Sequence, residues 1–252
     1  MHEQFLKGKA AVITGASRGL GRAIALALGE AGAKLALVAR NQERLAETQK
    51  LVREKGAEAE IFVTDVRYEA QVGRLEQDVI ARFGTVHIVV NNAGTTVRKT
   101  LADLSLDEWR LVIDTNLTGA FLVSRAFVPH LKAQQWGRII NITSTMAHVG
   151  SVGRGAYCAS KSGLLALTKC LALELVGDGV TVVAISPGFF ETDLTAPLRA
   201  DPQENSALMA ATPMGRWGRP QEIGDLARYL CGDGASFVTG TDILIDGGWV
   251  AR

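Results

Sequence analysis

Cysteine is scarce in this chain: Cys158, Cys170 and Cys231 are three among 252 residues. An odd, sparse set with no C-x-x-C spacing cannot complete a disulfide framework, and it reads as reduced thiols in a cytoplasmic protein. Histidine is hardly more plentiful. His2, His87, His130 and His148 are scattered without metal-ligand spacing, so no catalytic metal is expected. Neither sign of charge is in excess, with 27 basic against 26 acidic residues. That balance points away from a nucleic-acid surface or an anionic membrane as partner. The opening stretch MHEQFLKGKAAVITG carries charge and has no apolar core before its first strand-like run, so no signal peptide is expected. No apolar stretch is expected to approach the ~20 residues of a membrane span.

What the chain does have is apolar content, 47%, and glycine, 27 residues against 6 prolines. At this length one large domain over 1–252 with a sizeable core is expected. Short runs rich in Val and Ile recur: AAVIT (10–14), KLALVA (34–39), AEIFV (59–63), VHIVVN (86–91), RIINI (138–142), TVVAIS (181–186) and DILID (242–246). Apolar residues on successive positions fit strands covered on both faces. Helical patterns lie between them at 21–30, 41–55, 70–83, 106 into the 130s, 156–176 and 220–231. The fourth opens on a capping box, Ser105 with Glu108, and the last begins with a proline suited to a first turn. Seven alternations predict an α/β fold: a Rossmann-type doubly wound seven-stranded parallel sheet with helices on both faces. The segment 189–219 breaks the rhythm and reads as a lid or substrate-pocket insert.

TGASRGLG (14–21) leaves the first strand and enters the first helix. Gly15, Gly19 and Gly21 there suit a tight turn, close approach of backbone to phosphate and tight helix–strand packing. The new helix N-terminus offers N–H groups and a positive dipole end to a pyrophosphate. The spacing differs from G-x-G-x-x-G. A sheet of this kind that takes NAD places an acid near the end of its second strand, but VARN (38–41) holds none. Arg40 and Arg18 stand there instead, two cations suited to a 2′-phosphate. The expected cofactor is NADP(H), with NAD(H) as the alternative. Farther on, AYCASKSG sets Tyr157 and Lys161 one helical turn apart, a spacing that an ordinary helix-surface pair also satisfies.

Assembled, these stretches resemble the short-chain dehydrogenase/reductase family from end to end. TGASRGLG is similar to that family's cofactor loop. NNAG (91–94), DTN (114–116), NITS (141–144), YCASK (157–161), SPG (186–188) with Thr192, and the terminal IDGG (245–248) follow in the family's order. The resemblance implies that Tyr157 is the general acid/base and that Ser144 holds the substrate carbonyl or hydroxyl. It further implies that Lys161 binds the nicotinamide ribose and lowers the tyrosine pKa, and that Asn116 supports a proton path. Ser17, Leu20 and Asn41 would join the glycines and arginines around the cofactor. Asp65 and Val66 would meet the adenine, although a helix-start carboxylate is the commoner role for an aspartate so placed. Asn91, Asn92, Ala93 and Gly94 would floor the adenosine ribose, and Pro187, Gly188 and Thr192 would orient the carboxamide. Members are usually tetramers, so a homotetramer is implied.

Substrate contacts are expected from Arg98, Ser144, Thr145, His148, Arg154 and Phe189, each of which also has an ordinary surface or core role. The insert and the IDGGW ending are similar to gluconate 5-dehydrogenases and related sugar-acid enzymes, whereas 3-oxoacyl-carrier-protein reductases share almost the same frame. The latter tend to carry basic docking residues where this chain has Gln135 and Asp178, and losing cations weakens attraction to an acidic carrier. The expectation is therefore a small-molecule keto- or hydroxy-acid substrate, with the carrier-protein reductase as alternative. A non-catalytic NADP-binding sensor is a remote third, since Ser144, Tyr157 and Lys161 are all retained.

Overall fold

The computed structural model describes residues 4–251; His2 lies outside the described residues. Seven strands form one sheet: β1 (Ala10–Thr14), β2 (Lys34–Ala39), β3 (Ala59–Val63), β4 (Ile88–Asn91), β5 (Gly137–Ile142), β6 (Val180–Pro187) and β7 (Asp242–Ile245). Their order is β3-β2-β1-β4-β5-β6-β7, and every neighbouring pair is parallel. The doubly wound sheet that the alternation predicts is thus present. The helices are α1 (Gly19–Glu30), α2 (Gln42–Glu54), α3 (Glu69–Phe83), α4 (Leu106–Ile113), α5 (Gly119–Ala133), α6 (Gly155–Leu175), α7 (Ala196–Ala200), α8 (Pro202–Ala211) and α9 (Pro220–Cys231).

Successive strand residues feed two separate cores, because side chains alternate across a sheet. Ile13, Leu35, Leu37 and Val183 pack with Ile24 and Leu28 of α1 and Ile223 of α9. Val12, Ala36, Val38 and Val182 pack on the other face with Val79 of α3, Phe127 and Leu131 of α5 and Leu175 of α6. This double coverage is why the strands read as unbroken apolar runs. The chain runs outward through β2 and β3, then returns to β4 on the other side of β1. That reversal opens a crevice beyond the carboxyl ends of β1 and β4, where open α/β sheets bind ligands.

Two expectations change. The helix begun by the Ser105–Glu108 capping box does not run evenly into the 130s: a π-helical segment, Asp114–Thr118, separates α4 from α5. Moreover Leu106–Ala133 spans 28 residues with a best-window mean hydropathy of 1.3, long and apolar enough by composition to cross a membrane. Its apolarity has a local cause, since Leu122, Val123, Phe127 and Leu131 are buried against the sheet.

The insert folds as α7 and α8 beside the crevice. Its two ends are tied together, with the Gly218 N–H donating to Phe189 O at 2.9 Å and the Glu191 N–H to Gly218 O at 2.9 Å. Trp217 Nε1 donates to Asn205 Oδ1 of α8 at 2.7 Å, which fixes that helix to the insert's base.

Candidate active site

A cavity of about 770 Å³ occupies the crevice. Its first wall is the turn from β1 into α1, where Gly15 and Gly19 have φ of +66° and +55°, conformations that favour glycine. A Cβ on Gly21 would lie 2.3 Å from Gly15 O and 2.5 Å from Asn92 Nδ2. Gly21 therefore sits behind the cavity as a packing residue, while Gly15 and Gly19 line it. Thr14, at the end of β1, pins the opposite loop. Its Oγ1 accepts from the N–H groups of Asn92 at 3.0 Å and Ala93 at 3.1 Å, and donates to Val90 O at 3.2 Å. Asn92 Nδ2 closes the corner by donating to Thr14 O at 2.9 Å and Gly15 O at 3.1 Å. Asn91 is placed differently from expectation. It points away from the cavity and donates to Ser124 Oγ and Asn141 Oδ1.

Arg18, Arg40, Asn41 and Arg44 line one end of the cavity, with Ser17 and Leu20 close by. Asn41 caps α2, its Oδ1 accepting from the Arg44 N–H at 2.8 Å. Asp193 from the insert crosses to the same corner, its Oδ2 3.1 Å from Arg18 Nη1 and 3.5 Å from Arg44 Nη1. Arg44 and Asp193 carried no local signal in the sequence, since their partners lie up to 175 residues away. Asp65 is not a helix cap. Burial pushes its pKa up, but hydrogen bonds and charge from Arg67, with Arg40 nearby, hold it below the usual carboxylate value. Val66 also lines the cavity and sits on Gly119, where a Cβ would meet its Cγ2 at 2.7 Å.

Tyr157, Ser144 and Lys161 come together at the other end of the cavity, beside Pro187, Gly188 and Thr192. Ser144 Oγ accepts from the Met146 N–H at 3.1 Å, which leaves its own O–H as a donor on the Tyr157 side. Lys161 Nζ is buried and donates to Ile142 O at 2.7 Å, 5.8 Å from the Tyr157 ring centroid. Desolvation pushes its pKa down to about 8. Burial raises the Tyr157 pKa above 10, and the opposing influences are the Ser144 hydrogen bond and the Arg154 charge. Asn116 lies in the π-helical segment, one layer behind. Its side chain accepts from the Thr95 N–H and donates to Thr95 O and Ser160 Oγ, and Ser160 Oγ in turn donates to Tyr157 O.

Arg98, Thr145, Arg154 and Phe189 line the mouth beside Tyr157. Arg154 Nη1 donates to Thr96 Oγ1 at 2.7 Å, and its guanidinium lies 5.9 Å from the tyrosine ring centroid. Burial and the nearby Arg98 lower the Arg154 pKa. Phe189 is wedged edge-on between Trp217 and Trp249. His148 corrects the substrate expectation. It leaves the cavity wall and pairs through Nε2 with Asp242 Oδ2 at 2.5 Å, an oxygen that also accepts from Ser186 Oγ.

These features fit a dinucleotide. The cavity is of the size that encloses small-molecule ligands, four glycines leave its backbone bare, three arginines stand at one end and a phenol–hydroxyl pair at the other. Comparisons agree. The family model described as enoyl-(acyl carrier protein) reductase, of the short-chain dehydrogenase group, matches residues 15–250. The 3-oxoacyl-[acyl-carrier-protein] reductase FabG of Pseudomonas aeruginosa is 40% identical over 246 residues, covering 96% of this chain and 98% of that one. The 2-dehydro-3-deoxy-D-gluconate 5-dehydrogenase of Pseudoalteromonas atlantica is 39% identical over 261 residues, covering 100% of both. A solved Beutenbergia cavernae structure, assigned as an NAD(P)-dependent gluconate 5-dehydrogenase with NADP bound at low occupancy, superposes with a TM-score of 0.93. It is 37% identical and covers 98% of each chain.

Proposed function

The chain belongs to the short-chain dehydrogenase/reductase family of oxidoreductases, and from that premise we propose an NADP(H)-dependent enzyme that interconverts a keto-acid and its hydroxy-acid, of the sugar-acid kind. The observation that carries the substrate class is the pair Arg98 and Arg154 at the mouth, beside Tyr157. Guanidinium groups so placed suit a small carboxylate.

Arg18 and Arg40 would hold the 2′-phosphate, the α1 N-terminus with Gly15 and Gly19 the pyrophosphate, and Asp65 and Val66 the adenine end. Ala93 and Gly94 would lie under the ribose, with Lys161 at the nicotinamide ribose and Pro187, Gly188 and Thr192 at the carboxamide. Bound there, the nicotinamide supplies or accepts the hydride; that chemistry is the cofactor's. The protein supplies position and the proton. Ser144 donates a hydrogen bond to the substrate oxygen. Tyr157, a phenol protonated at neutral pH, gives its proton to that oxygen on reduction and recovers one on oxidation. The Arg154 charge eases formation of the phenolate that oxidation requires. Asn116 holds the Thr95 backbone and Ser160 in place, so the tyrosine's helix keeps its register against the 95–98 loop.

A second reading is 3-oxoacyl-[acyl-carrier-protein] reductase, favoured by the relative from Pseudomonas aeruginosa at almost the same identity as the sugar-acid enzyme. Against it, the corner formed by Gln135 and Asp178 presents little free positive charge, since the nearby Lys132 is paired with Asp178 at 3.0 Å. Cytoplasmic location and a homotetramer complete the proposal. The outward side of α6 supports the latter, with Ala159, Ser162, Ala166, Cys170 and Leu173 all exposed. Parallel assays decide the substrate, following NADPH oxidation with 5-ketogluconate and related keto-acids, and with an acetoacetyl thioester, free and carrier-bound. Turnover confined to keto-acids is expected; turnover confined to the thioester would transfer the enzyme to fatty-acid synthesis.

A further inference from the structure

The ion pairs at the cofactor end have a feature that the phosphate-reading role of Arg18 and Arg40 does not use. One carboxylate oxygen, Asp193 Oδ2, serves both Arg18 Nη1 and Arg44 Nη1. The three side chains come from different parts of the chain: the glycine loop, α2 and the insert. All three line the same cavity, with Arg40 beside them. Arg40 is exposed, and its charge is felt at Asp65.

We propose that Asp193 is a specificity-determining residue for the cofactor, acting as a built-in competitor for the guanidinium groups that take a 2′-phosphate, and that Arg44 is the third of those groups. The inference rests on the NADP(H) reading. A 2′-phosphate that accepts from Arg18 meets a guanidinium already engaged through Nη1 by Asp193 Oδ2, and a carboxylate left in place repels the incoming dianion. The competition is uneven. Arg18 and Asp193 are about half exposed, with side-chain accessibilities of 49% and 53%. Exposed ion pairs of this kind are weak, whereas a phosphate offers charge-assisted bonds to several guanidinium groups at once. The phosphate therefore wins the arginines, and Asp193 sets how strongly. NADH, with a hydroxyl at that position, leaves the ion pairs undisturbed. The residue thereby narrows the preference for NADP(H) over NAD(H) without touching the reacting atoms.

The test is nucleotide affinity, read by the fluorescence of bound NADPH and NADH with the full chain and no substrate. Asp193→Asn keeps the shape and removes the charge, at an exposed position where folding is not at stake. It is expected to tighten NADPH about two- to fivefold, the value of an exposed ion pair, and to leave NADH unchanged. Arg44→Gln is expected to weaken NADPH about five- to tenfold and likewise to spare NADH. An unchanged or smaller NADPH/NADH affinity ratio in Asp193→Asn, with the wild-type preference for NADPH intact, overturns the inference and leaves the cofactor reading standing. Equal weakening of both nucleotides also overturns it, because Asp193 would then be a strap for the insert. A wild-type protein with no preference for NADPH refutes the cofactor reading itself, and the inference falls with it.

Discussion

Lys161 carries the sharpest conflict between stability and function at the scale of single residues. Its ammonium is buried, makes one hydrogen bond to Ile142 O, and is pushed down to about 8 by desolvation. A fall from the ordinary value of 10.5 to about 8 corresponds to about 3 kcal/mol. The sign follows from proton counting: the unfolded chain holds this proton more tightly than the folded one, so folding is penalised below about pH 8 and relieved as pH rises toward the unfolded value. Lys161→Met removes the titration. Wild type is therefore expected to gain on the variant by about 2 kcal/mol between about pH 7 and about pH 9.5, measured by urea unfolding of the two proteins side by side. A stability difference independent of pH would mean that the ammonium is not desolvated. Several residues at this scale were legible from motif alone, among them Tyr157, Ser144 and the glycines. His148 and Asp193 were not, because their partners Asp242 and Arg18 lie 94 and 175 residues away, and no local pattern encodes a contact made across the fold.

The turn between β1 and α1 shows how an element can be fixed by what it cannot contain. Gly21 packs against Gly15 O and Asn92 Nδ2 with no room for a methyl group. Gly21→Ala must move either the loop backbone or the 91–94 segment, an overpacking expected to cost about 1–3 kcal/mol. Because both walls shift, NADPH and NADH should weaken together, by tenfold or more, in the same fluorescence titration. Selective loss of one nucleotide would show that the turn does not serve the moiety they share. Strand and helix positions were readable because unbroken apolar runs, buried on two faces, and the Ser105–Glu108 box are local properties. The π-helical segment Asp114–Thr118 was not readable. A wider turn alters hydrogen bonding without altering composition, so DTN flagged Asn116 but not the backbone feature that carries it.

For the molecule as a whole, the order β3-β2-β1-β4-β5-β6-β7 places the crevice before any side chain is considered. The glycine loop, the Tyr157 helix and the insert then converge on it from three regions of the chain. Leu173 is 81% exposed on α6, and Phe121 on α5 is also exposed. Their burial between subunits is the expectation behind the tetramer, and light scattering in solution should return four times 26.9 kDa; a stable monomer would remove that part of the account. The central claim is that Tyr157 moves the proton while the rest of the cavity holds the reactants. Its most direct test is Tyr157→Phe, which deletes one oxygen, with keto-acid-dependent NADPH oxidation and NADPH affinity measured on the same preparation. Turnover is expected to fall by a factor of about 10²–10⁴ with affinity unchanged, whereas turnover near the wild-type rate would contradict the assignment of the proton to this residue.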